Sequence, residues 1–251
     1  MKEIDKFFTP LNTVGDLSEQ EQIQTGDYLE VIRAFTRITY KSVYIIDYQK
    51  KIFEFVSENP LFLCGHTPEK VRELGYAFYF KNVKKEDLDL LLMINEAGFQ
   101  FYESIAVEER KKYSISYDFH LMHDNKPILI NQKLTPMFLA ADGKIWKAMC
   151  IISLSSKDSA GNITVYKQGS DEVWRFDVAT KRWHKEQKIR LTERETEILR
   201  LYAQGLKITD IASKLCVTAD TVKFHRRRLF EKIGVQNITE ALSYATNNKL
   251  L

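Results

Sequence analysis

The residues best suited to chemistry are cations gathered on one short stretch. Between positions 218 and 232 the chain places Lys223, Arg226, Arg227, Arg228 and Lys232 among Thr218, Thr221, Phe224 and His225. On a helix turning about 100° per residue, Val222, Leu229 and Ile233 share one side. Lys223, Phe224 and Arg227 then face the opposite way, and Arg226, Arg228 and Lys232 lie on the flanks. Phosphates can take flanking guanidinium and ammonium groups, and base edges in the major groove can take Lys223 and Arg227. A thymine methyl can cover an outward Phe224, which water would not favour. The competing reading is an ordinary solvated basic face. It loses because the run sits on the second helix of a tight helix-turn-helix pair.

Other chemistries find little support. No GxSxG, Walker loop, paired acid and base set or HExxH is present. The histidines (His66, His120, His123, His184, His225) show no metal-ligand spacing, and His120 and His123 lie on a strand whose i and i+3 positions face opposite sides. Cys64, Cys150 and Cys216 are widely spaced with no CxxC pair, so they read as small buried hydrophobes in a reducing cytoplasm. Asp47 is the one candidate phospho-acceptor, but no early acidic pair, later lysine or parallel βαβ rhythm accompanies it, so it reads as a strand-end residue.

The elements that must hold the cationic helix are legible around it. Thr192 and Glu195 form a capping box that opens a helix over Glu193–Ala203, stopped by Gly205. A second helix covers Thr209–Leu215, Thr218 caps a third over Ala219–Lys232, Gly234 ends it, and a fourth begins at Thr239–Tyr244. From Lys188 to Leu251 there are 12 Lys and Arg against 7 Asp and Glu, leaving 25 against 27 in the remainder. The basic excess is confined to the C-terminal quarter, where a polyanion partner would need it.

The residues Leu191-Thr192-Glu193-Arg194-Glu195, Gly205-Leu206, Ile211-Ala212 and Thr221-Val222-Lys223-Phe224-His225 resemble the LuxR/GerE-type helix-turn-helix family. Lys232-Ile233-Gly234-Val235 and Glu240-Ala241 continue the resemblance, which spans 188–251. It implies an all-α four-helix unit in a bacterial transcription regulator, with the third helix in the major groove of double-stranded DNA. Lys223, Phe224 and Arg227 would then face bases, while Thr218, Thr221, His225, Arg226 and Arg228 would lie near phosphates. The chain departs from the family pattern at Lys207-Ile208-Thr209-Asp210, and Phe224 replaces a commonly smaller aliphatic.

The preceding residues alternate strands and helices. A helix covers Tyr28–Ile38, strands lie at Val43–Ile46 and Lys51–Val56, and Thr67-Pro68 opens another helix. Glu86–Phe99 reads as a helix ending at Gly98, followed by three antiparallel strands at Ile115–Met122, Ile128–Phe138 and Trp146–Leu154. Asn59, the run Leu63–Glu69, the pair Glu86-Asp87 and the turns at Asp124-Asn125 and Asp142-Gly143 resemble a PAS sensor domain. The resemblance implies an antiparallel sheet with flanking helices, often dimeric and sometimes holding a ligand. No cofactor is evident: the flavin-type Asn-Cys-Arg motif is absent, and the helix over Glu86–Phe99 has no histidine for a haem. Phe53, Phe55, Tyr76, Phe78, Phe80, Phe99 and Phe101 could wall a small-molecule pocket or simply pack.

The expected organisation is thus α+β: an N-terminal extension at 1–27, a PAS-like domain at 28–155, a linker with a small hairpin at 156–187 and the helix-turn-helix domain at 188–251. Apolar runs are too short to span a bilayer and the N-terminus carries acids without a signal-like stretch, so a cytoplasmic, homodimeric regulator is expected. RNA polymerase is a candidate partner. A response regulator with a divergent phospho-acceptor domain, or a ligand-modifying enzyme fused to a DNA-binding domain, are the alternatives.

Overall fold

A computed structural model of the chain describes residues 3–17, 19, 28–248 and 250. The chain divides into two compact units, 1–154 with 159–186 and 155–158 with 187–251.

The first unit is built on a sheet of eight strands. In chain order these are β1 (Ser42–Asp47), β2 (Ile52–Val56), β3 (Tyr113–His123), β4 (Lys126–Leu139), β5 (Ile145–Leu154), β6 (Gly161–Lys167), β7 (Glu172–Asp177) and β8 (Arg182–Gln187). Their spatial order is β2-β1-β5-β4-β3-β6-β7-β8, antiparallel from β2 to β7. The first five strands form a PAS-like sheet. A phospho-acceptor domain would need a parallel, doubly wound sheet instead, and Asp47, its candidate site, is fully buried at the end of β1.

Helices cover both faces. Before β1 stands α1 (Tyr28–Ile38), and between β2 and β3 come α2 (Pro60–Leu63), α3 (Pro68–Leu74), α4 (Ala77–Asn82) and α5 (Lys85–Glu103). Asn59 and Thr67 cap α2 and α3 by accepting backbone N–H groups, with proline in each first turn. One sheet face meets α2 to α5 through a core rich in rings, including Tyr44, Tyr48, Phe53, Phe62, Phe78 and Phe119. The other face carries Val43 and Ile45, on which Ile32 of α1 packs beside Tyr28 and Leu29.

A buried ionic cluster fastens α1 to that second face. Lys147 Nζ lies 2.7 Å from Glu54 Oε1, 3.6 Å from Asp47 Oδ2 and 3.2 Å from the Tyr28 hydroxyl, which itself donates to Glu54. Burial, then the Glu54 carboxylate, push the Tyr28 phenol far above its ordinary range. On the opposite side of the sheet, Asp87 in the first turn of α5 accepts the His120 backbone N–H at 2.7 Å and pairs with His120 Nδ1 at 2.8 Å. That tie sets the entry of α5 against β3.

Two expectations change. The segment 156–187 is no linker: its hairpin forms as β6 and β7, but β6 pairs along β3 and β8 adds beyond β7. An unpaired β3 edge would leave a row of open backbone groups. The rings of Phe101, Trp174, Trp183 and Phe176 hold the added strands down, with Phe101–Trp183 centroids 4.8 Å apart. At the start of the chain a 3-10 turn over Glu3–Phe7 buries Phe7 within 5.5 Å of the Tyr76, Tyr79 and Phe80 rings. The expected polar run at 18–22 lies outside the described residues apart from Glu19.

Gly98 does not end α5, which continues to Glu103. It sits inside the helix where an added Cβ would stand 3.2 Å from Ile115 Cδ1, so it permits close helix–sheet approach.

Candidate nucleic-acid interface

In the second unit the chain folds into α6 (Glu193–Ala203), α7 (Ile208–Lys214), α8 (Ala219–Ile233) and α9 (Ile238–Asn247). The capping box at the head of α6 is complete, with the Thr192 hydroxyl accepting from Glu195 N and the Glu195 carboxylate accepting from Thr192 N. Cys216 turns the chain between α7 and α8 at a φ of 53°, and the Thr218 hydroxyl then accepts the Thr221 N–H at 3.1 Å. Val222 packs with Ile198, Leu201 and Ile211, while Leu229 and Ile233 pack with Leu199 and Ala241. Those three α8 residues are essentially inaccessible, so burial fixes the rotation of the helix.

That rotation decides the outward face. Lys223, Phe224, Arg227 and Arg228 are exposed, whereas Thr221, His225 and Arg226 are half-buried and Thr218 is exposed at the N-cap. The Lys223 ammonium lies 2.9 Å from Asp220 Oδ1 and Arg227 Nε lies 3.8 Å from Glu231 Oε1. Pairs this exposed contribute about 0–1 kcal/mol, so a phosphate or a base edge can displace the acid. Phe224 is 44% exposed, and its ring is partly roofed by the Arg228 guanidinium 5.3 Å from the centroid. The Arg226 guanidinium stands 5.9 Å from the Phe230 ring. The structure thus brings the eight candidate residues onto one helix and its N-cap.

Lys232 leaves the group of flanking cations. Its ammonium meets the buried Glu195 carboxylate at 2.6 Å and ties α8 to the head of α6. Sequence reasoning also passed over Arg194, which pairs with Glu197 at 2.9 Å and donates to the Leu215 carbonyl at the end of α7. Neither contact has a local signature, since the partners lie 37 and 21 residues apart. The departure at 207–210 has a visible consequence: Lys207 stands at the N-cap of α7 without a side-chain hydrogen bond to the helix.

The aromatic residues offered as a pocket separate in the first unit. Tyr76, Phe99 and Phe101 line a cavity of about 80 Å³ between sheet and helices, whereas Phe53 and Phe78 are packed core. Phe55 belongs to the other sheet face under α1, because the β-strand period sends it opposite to Phe53. Among the described residues no group of three His, Cys, Asp or Glu side chains could hold a metal. The cysteines are not uniformly buried: Cys150 is buried, Cys64 half-buried and Cys216 exposed. Burial pushes the Cys64 thiol up to about 12, which keeps it protonated beside His123. Among the described residues no helix is long and apolar enough to cross a membrane.

A buried hydrophobic seam on one side of α8 and cations on the other define a helix-turn-helix DNA-binding unit. Residues 190–245 match the family of bacterial regulatory proteins, luxR family. The uncharacterized transcriptional regulatory protein YxjL of Bacillus subtilis is 42% identical over 60 residues, 24% of this chain and 28% of that protein. The oxygen regulatory protein NreC of Staphylococcus haemolyticus is 30% identical over 136 residues, 54% of this chain and 58% of that protein. The matches therefore span between about a quarter and three fifths of these relatives' own length. The solved phage VqmA–DPO complex aligns over 90% of both chains at 18% identity with a TM-score of 0.32, too low to carry an argument.

Proposed function

We propose that this chain is a sequence-specific, DNA-binding transcription regulator of the cytoplasm that acts as a homodimer, with DNA binding controlled by its PAS-like unit. The observation that carries this reading is the outward face of α8, where Lys223, Phe224 and Arg227 stand exposed opposite a fully buried seam. Lys223 and Arg227 read base edges. Phe224 packs on a thymine methyl, and Thr218, Thr221, His225, Arg226 and Arg228 engage phosphates.

Dimerisation is supported by α1. Its apolar residues divide between two faces: Ile32 is buried on the sheet, while Val31, Phe35 and Ile38 are 69%, 40% and 81% exposed along one stripe. A second copy of this helix, antiparallel, would cover the stripe and bring Glu30 of each copy towards Arg37 of the other. A dimer would prefer half-sites about one helical turn apart, or a multiple of that.

The test is footprinting of a selected DNA site by the full chain and by a Lys223→Ala, Arg227→Ala variant. The expected result is loss of the selective footprint with unchanged circular dichroism. An unchanged footprint would overturn the assignment.

A further inference from the structure

The outward ridge of α8 carries an acid as well as cations. Helical geometry puts Asp220 at about 160° from Val222, beside Arg227 at about 140°, so a carboxylate stands on the midline of a face otherwise suited to a polyanion. It lies in the first turn of α8, its side chain is 87% exposed, and its Oδ1 is 2.9 Å from Lys223 Nζ. Lys223, Phe224 and Arg227 share its side of the helix, so they cannot approach a base edge without carrying Asp220 towards the DNA. Beside phosphates a carboxylate is repelled. On the floor of the major groove it finds hydrogen-bond donors at two places, cytosine N4 and adenine N6. The N-terminal residues of such a helix are the ones that contact base edges. Glu231 shares the midline but stands at the other end of α8.

We propose that Asp220 is a specificity-determining residue that reads one C·G base pair jointly with Lys223. The carboxylate accepts from cytosine N4, and the ammonium donates to guanine O6 and N7. Within that base pair N4 and O6 are themselves hydrogen-bonded at about 2.9 Å. The carboxylate and ammonium that would face them are 2.9 Å apart. An A·T pair also sets a donor beside an acceptor, but its two acceptors lie on opposite sides of N6, which leaves the ammonium one in reach instead of two. The ion pair is exposed and weak, so both groups are free to turn towards the groove. A first-turn acid also suits the helix dipole whatever the helix touches; a reading role alone ties it to one base pair. The inference rests on the reading of α8 as the helix that enters the major groove.

The test is enrichment of sites from a random duplex library by the full chain, by Asp220→Asn and by Asp220→Ala, followed by affinities for the enriched site and its single-pair substitutions. The parent should prefer C·G over A·T at one pair of the half-site by about tenfold or more, within the range for a good bidentate contact. Asp220→Ala should reduce that preference at least about threefold and leave the other pairs unchanged, the remainder being the contact of Lys223 with guanine. Asp220→Asn should move it towards A·T by at least about tenfold, because an amide pairs with adenine N6 and N7. Both variants should keep the parent's circular dichroism, since the side chain is exposed. A carboxylate that only steadied Lys223 would lose C·G preference in both variants with no gain of A·T. One that only repelled phosphates would raise the affinity of Asp220→Ala for all sequences alike and spare every preference. Either outcome overturns the proposal while the DNA-reading face stands. If the parent enriches no sequence, the reading of α8 falls and this inference with it.

Discussion

Lys232 Nζ lies 2.6 Å from Glu195 Oε2, joining the last turn of α8 to the capping box of the first helix in its bundle. Burial by itself would raise the Glu195 pKa. The Lys232 ammonium and the Thr192 N–H outweigh that effect, and the carboxyl titrates below its ordinary 4.5. A folded-state pKa below the unfolded one contributes stability that is present above the unfolded value and lost as pH falls through the folded one. The second unit should therefore weaken as pH drops below about 4.5. Lys232→Met should weaken that acid dependence and cost about 1–3 kcal/mol at neutral pH, because it strips a buried carboxylate of its cation. Denaturant titrations of the full chain at several pH values, followed by circular dichroism, test both.

Arg228 has two competing occupations, the Phe224 ring and a DNA phosphate. If the phosphate contact is made, Arg228→Ala weakens binding to all sequences alike and lowers the slope of log affinity against log salt by about one unit. A salt series on a selected and an unrelated duplex separates that from a role in selectivity, which would change the ratio and spare the slope.

The cluster around Lys147 is buried, so removing its cation leaves Asp47 and Glu54 uncompensated. Lys147→Met is expected to cost about 3–5 kcal/mol, the usual penalty for breaking a buried ion pair from one side. Urea unfolding would measure it. A loss under 1 kcal/mol would mean that water reaches the cluster.

The outward stripe of α1 gives a separable test of assembly. Val31→Asp with Ile38→Asp alters side chains that are mostly exposed, so the melting temperature of the protomer should hardly move. Sedimentation equilibrium should then report a monomer where the parent is a dimer. A variant that still dimerises would place the interface elsewhere.

Local pattern made much of this protein legible. The period of Val222, Leu229 and Ile233 predicted the buried side of α8, and Thr192, Glu195 and Thr218 predicted where helices begin, because caps and helical periodicity are short-range effects. The same logic located Tyr28–Ile38 and the strands that follow. It failed where a neighbour distant in sequence decides. Gly98 looks like a helix stop, yet α5 runs on because packing on Ile115 rewards the missing side chain. Residues 156–187 look like a connection, yet they pair with β3 and pack on Phe101.

The cationic face of α8 was thus determined by the sequence itself, since its residues are neighbours on one helix. Only the tertiary structure decided which cations stay free to use it. Lys232 is withdrawn to a carboxylate 37 positions away, and the buried Tyr102 hydroxyl is left without a hydrogen-bond partner among the described residues. Both depend on side chains that meet only once the chain has folded, and no spacing along the sequence records such a meeting.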